Sequence, residues 1–127
     1  MISLTHIQRL FFARSPADMR KQAHGLAALV TSHLEKDPMS GDVFIFVNQG
    51  ASIVKILMWD VSGYWVACKR LERGRFAVRG KCGAVGAKGC HLLSVAEVMN
   101  MLEGIDVRQA RYLNHYESIS ERVKNSG

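Results

Sequence analysis

At 127 residues the chain has room for one domain, and its 48% apolar content is enough to fill a core of that size. No apolar run approaches the ~20 residues that span a bilayer, and Met1-Ile2-Ser3-Leu4-Thr5-His6 lacks the basic and apolar regions of a secretory signal, so a cytoplasmic protein without a membrane partner is expected. The net charge of +6 is concentrated: eight basic and two acidic residues lie between Ile53 and His91, and the nine of each sign elsewhere cancel.

In chain order, Ile7 to Ala13 (IQRLFFA) has the β-branched and aromatic content of a short strand. Ser15-Pro16-Ala17-Asp18 has the residues of a helix start, and Met19, Ala23, Leu26, Val30 and Leu34 then recur at the spacing of one helix face. A long helix over Pro16–Leu34 is predicted, with Gly25 marking the close approach of another backbone. After the loop Asp37–Gly41 the period changes from 3.6 to 2. Asp42–Val47, Ile53–Trp59, Tyr64–Arg70 and a short Arg75–Val78 are predicted strands, separated by turn residues such as Asn48-Gln49-Gly50 and Asp60-Val61-Ser62-Gly63. Connections this short imply hairpins and an antiparallel meander. In the third strand, Trp65, Ala67 and Lys69 share one face, and Tyr64, Val66, Cys68 and Arg70 the other.

Arg79–Gly89, with four glycines, reads as a flexible basic loop. Ser94-Val95-Ala96-Glu97 is a capping box opening a helix that stops at Gly104. From Val107, apolar residues at Ala110, Leu113, Tyr116, Ile119 and Val123 allow a final helix that frays toward its end. The predicted fold class is α+β: a four-stranded antiparallel meander packed on a long N-terminal helix, with C-terminal helices. Residues 1–108 form the domain, and 109–127 a helical or frayed tail.

Few residues suggest chemistry. Cys68, Cys82 and Cys90 read as free thiols, and Cys82, Cys90 and His91 lack the partners of a four-ligand zinc site. Asp18, Asp42, Asp60 and Glu72 show no paired spacing that would hold a catalytic divalent metal. The histidines at positions 6, 24, 33, 91 and 115 accompany no nucleophile motif, and the glycines of Arg79–Gly89 contain no phosphate-binding loop. No catalytic site, metal or cofactor is expected. Trp59-Asp60 reads either as a core aromatic with a turn aspartate or as a platform for a stacked base. Lys69, Arg70, Arg73 and Arg75 surround one turn, and with Lys55 and Arg79 they are the candidate nucleic-acid contacts. Arg73 and Arg75 point the same way if strand pairing there is regular. The alternative is a solvated turn in which Glu72 pairs locally.

The central third, Pro38-Met39-Ser40-Gly41-Asp42-Val43-Phe44-Ile45-Phe46 with Asn48, then Lys55-Ile56-Leu57-Met58-Trp59-Asp60, then Lys69-Arg70-Leu71-Glu72-Arg73-Gly74-Arg75-Phe76, resembles the TnpB (Orf2-like) accessory proteins of the insertion sequence 66 family of transposons. Asp18-Met19-Arg20-Lys21 with Gly25-Leu26, and Leu102-Glu103-Gly104-Ile105-Asp106, resemble the same family's terminal motifs. The first turn carries Asn48-Gln49-Gly50 where the family commonly has Asn-Arg and further basic residues, so no arginine contact is carried over there. The resemblance implies a non-catalytic role in transposition and DNA recombination beside a separate transposase. Two modes follow: contact with transposon DNA through the basic turn, or an adaptor role on the transposase or another transposon-encoded protein. An enzyme ranks third.

Overall fold

A computed structural model describes residues 9–78 and 80–104. The elements are β1 (Leu10–Ala13), α1 (Ala23–Leu29) continuing into a wider π-helical turn (Val30–Leu34), β2 (Val43–Val47), β3 (Ile53–Asp60), β4 (Gly63–Arg70), β5 (Cys90–Leu93) and α2 (Val95–Glu103). The strands form one mixed sheet in the order β4-β3-β2-β1-β5. β2, β3 and β4 make three strands of the predicted four-stranded antiparallel meander, with Val43 opposite Met58 and Ile53 opposite Arg70. β1 lies parallel to β2, Phe11 beside Phe44, and antiparallel to β5, Phe12 beside His91.

The α+β class is as expected, and its details are corrected in three places. The sheet has five strands because the Leu10–Ala13 run is inserted between β2 and β5. Arg75–Val78 is not a fourth meander strand. Gly74, at φ +78°, turns the chain away from β3, and the segment closes the end of the sheet through Phe76 N–H to Ala51 O and Ala77 N–H to Met101 O. The long helix is also shorter than predicted. Its N-cap is Gln22, without a side-chain cap, and residues 16–22 run irregularly along the sheet end, Ala17 N–H bonding Val47 O. Asp18 does not cap a helix: its carboxylate takes the backbone N–H of Arg20 at 2.9 Å and its guanidinium at 2.7 Å. A short polar side chain bonded to its own backbone competes with helix initiation in this way. Gly25 is crowded by the side chain of Lys21, which a Cβ would meet at 3.1 Å, rather than by another backbone.

β2 (VFIFV) is buried along its whole length, as suits a central strand covered on both faces. Alternation sends Phe44 and Phe46 to one face, where Leu26, Val30 and Leu34 cover them. Val43, Ile45 and Val47 go to the other, with Val98 and Met101 of α2. The result is three layers, α1 on the sheet on α2. The Ser94–Glu97 capping box forms in both directions, at 3.1 and 3.2 Å, and α2 stops at Gly104. The predicted C-terminal helix and the tail boundary lie outside the described residues.

Candidate nucleic-acid interface

Strand direction decides where the charges gather. β1 and β2 end, β3 and β5 begin, and β4 ends, all at one end of the sheet. Arg14 follows β1, Arg70 closes β4, Arg73 and Arg75 lie in the loop after it, and Lys88 precedes β5; all five are exposed. Backbone bonds hold these connections together: Gly83 N–H to Arg14 O at 2.6 Å, Arg14 N–H to Gly89 O at 3.1 Å, and Leu71 N–H to Ser52 O at 2.9 Å. Among the described residues none of the five enters an ion pair. This is the basic end of the molecule.

The residues expected from sequence divide in their placement. Arg70, Arg73 and Arg75 belong to this end, but Arg73 and Arg75 sit on a loop, so regular pairing does not align them. Lys69 is exposed and donates to Leu102 O at 2.8 Å, at the C-terminus of α2 where a cation is favourable. Lys55 is buried on the α1 face, and its ammonium donates to Lys21 O at 2.8 Å. It ties the sheet to the segment before α1, and its buried ammonium is not part of the exposed basic surface. Arg79 lies outside the described residues. Arg14 and Lys88 were missed, because only the insertion of β1 between β2 and β5 brings them to the end of the sheet where β4 also finishes. Lys81 approaches Glu97 at 3.6 Å.

Asp18, Asp42 and Asp60 have structural partners. Asp42, buried, accepts from the Arg9 guanidinium at 2.9 Å, and Asp60 accepts from the Trp65 ring nitrogen at 3.2 Å. The Asp18 carboxyl is held down to about 2 by its hydrogen bonds from Arg20. Among the described residues no group of three or more His, Cys, Asp or Glu side chains could hold a metal ion. Cys68, Cys82 and Cys90 are free, and burial pushes the Cys82 and Cys90 thiols up. Trp59 is half-buried, edge-on to Tyr64 at 5.0 Å, which packs edge-on to His24. Among the described residues no helix is long and apolar enough to cross a membrane.

The family model described as "IS66 Orf2 like protein" matches residues 8–112. The chain belongs to this family. The resemblance carried by the Pro38–Phe46, Lys55–Asp60 and Lys69–Phe76 motifs therefore holds, and membership points to a transposon accessory protein. Two similar proteins come from Sinorhizobium fredii (strain NBRC 101917 / NGR234). The uncharacterized protein y4jC is 38% identical over 76 residues, covering 60% of this chain and 65% of its own length. The uncharacterized protein y4hO is 33% identical over 100 residues, covering 79% of this chain and 83% of its own. The chain thus spans slightly under two thirds of the first relative. No solved structure matches.

Family motifs acquire structural roles at several positions. Asn48 locks the β2–β3 turn, its Oδ1 accepting from Ser52 N–H at 2.8 Å and Ile53 N–H at 3.0 Å, while its amide donates to Ser52 Oγ at 3.1 Å. Asp42 and Asp60 are fixed as described, and Gly104 sits at φ +79° against Leu71.

Proposed function

We propose that the protein acts in the cytoplasm as a non-catalytic accessory factor beside a separate transposase, contacting transposon DNA through its basic end. The observation that carries this reading is the convergence of Arg14, Arg70, Arg73, Arg75 and Lys88 from separate connections onto one end of the sheet. Loop arginines leave the core untouched, and the planar fork of a guanidinium suits a phosphate. No step of bond-making chemistry is assigned to any residue.

The adaptor reading draws on Glu72 and Glu103, exposed at the same end. Acids repel a phosphate backbone but pair readily on a mixed protein surface. The double variant Arg73→Ala/Arg75→Ala separates the readings. It keeps the parent's thermal melt, because exposed loop charges contribute little stability. Its DNA affinity falls about tenfold or more, its salt slope shrinks by about one per lost phosphate contact, and transposition in cells declines. Parental DNA binding and transposition in the folded variant would refute a working role for the basic end. Weak, length-independent DNA binding by the parent, beside tight binding to transposase, would favour the adaptor.

A further inference from the structure

The sheet has two unlike edges. β5 is four residues long, whereas β4 offers eight, with no neighbour on its outer side among the described residues. Long unpaired edges invite a second chain, and proteins usually blunt them with charge or brevity. On β4 the only charged residues are the last two, Lys69 and Arg70.

Beside this edge the α2 face of the sheet is incompletely covered. α2 packs over β2 and leaves an apolar groove of about 530 Å³ that Ile56, Met58, Val98 and Met99 line and that runs out to Trp65 and Ala67 of β4. Trp65 is 45% exposed and Met99 59%. The Trp65 ring nitrogen is already bonded to Asp60, so the indole is oriented with its apolar surface available for contact.

We propose that β4 pairs antiparallel with β4 of a second copy, making a two-fold dimer whose shared sheet extends the floor of this groove. Charge selects the direction. A parallel pair would stack Lys69 and Arg70 against themselves, while an antiparallel pair sends them to opposite ends. Symmetry restricts the register, because a two-fold normal to the sheet must place like faces opposite each other. With Ala67 on the axis, the smallest side chain of the strand meets its own copy. Trp65 then stands opposite Lys69 of the partner subunit, an aromatic–cation pair, at both ends of the contact. Main-chain bonds fix the geometry, and Trp65 supplies the apolar contact that strand pairing alone lacks.

The register makes a further demand. Cys68 and the partner's Cys68 fall one residue to either side of the axis on the α1 face, about 7 Å along the strands and about 5 Å across, hence roughly 8 Å apart. Light scattering of the full chain over a concentration series is expected to show a dimer. A bismaleimide of that reach is expected to trap it, and Cys68→Ser to abolish the trapping. Ala67→Arg, with a parental circular-dichroism spectrum, is expected to weaken dimerisation about tenfold or more by placing like charges on the axis. Trp65→Lys should do the same by opposing Lys69, and adding Lys69→Glu should restore the dimer by opposing unlike charges. A parent that stays monomeric into the millimolar range overturns the proposal. So does a dimer indifferent to Ala67→Arg, or a Trp65→Lys defect that Lys69→Glu leaves unrepaired.

Discussion

Gly104 is set by two independent constraints. Its φ of +79° lies in the left-handed region, and a Cβ there would meet Leu71 Cδ1 at 2.8 Å. Gly104→Ala is therefore expected to cost about 1–3 kcal/mol in urea unfolding, strain and overlap acting together. Asn48→Ala removes three hydrogen bonds from the β2–β3 turn and leaves the Ser52 and Ile53 amides to find other partners. Its expected cost is about 1–3 kcal/mol by the same measurement. Lys55→Met keeps most of the buried stem and loses only the bond to Lys21 O, so it should lower stability while leaving DNA affinity unchanged. That contrast with Arg73→Ala/Arg75→Ala separates the buried lysine from the basic end. In sequence Lys55 was indistinguishable from an exposed strand lysine. Only its burial between Val54 and Leu57 in the folded sheet, where a lysine must find an acceptor, sets it apart.

The two helices differ in how plainly their ends were written. α2 was legible in full because its start is coded by mutual bonds between Ser94 and Glu97 and its stop by a glycine. Ser94→Ala should accordingly lower the melting temperature, with a cost of about 1 kcal/mol. α1 was legible only in its middle. The apolar spacing from Ala23 to Leu34 is real, but Pro16 and Asp18 mimic a helix start that the Asp18–Arg20 bonding overrides. The Asp18 carboxyl, lowered from 3.8 to about 2, stabilises the fold above its unfolded value and loses that contribution as pH falls from about 4 to 2. Asp18→Asn is expected to remove that part of the acid transition, with the effect small because the pair is exposed. Arg75–Val78 failed as a strand for a related reason. It follows the meander closely in sequence, but Gly74 redirects the backbone before a ladder can form.

For the whole molecule, the meander and the concentration of charge were readable from period and composition, while the sheet order was not. Local pattern says that Leu10–Ala13 is extended. It does not say that the strand lies between β2 and β5, because that choice is made by contacts far apart in sequence. The candidate site inherits the same limit. Arg70, Arg73 and Arg75 are neighbours in the chain and were found together, whereas Arg14 and Lys88 join them only through β1. Arg14→Ala/Lys88→Ala should thus weaken DNA binding severalfold and reduce the salt slope by up to about two, with little change in melting temperature. An unchanged slope would confine the contact to the loop after β4.

The position of β1 also sets an order of events during synthesis. Its parallel partner β2 emerges about thirty residues later, and its other partner, β5, about eighty residues after it. Pairings of such long sequence separation form slowly, since a large loop must close before they contribute. Until they do, Leu10-Phe11-Phe12-Ala13 is an uncharged, β-prone segment with no strand on either side. Of the described strands, the one that precedes the others in the chain is among the last to be enclosed. The nascent chain consequently passes through a stage in which these two phenylalanines invite association with other chains, and holding them apart falls to chaperones or to rapid completion of the sheet.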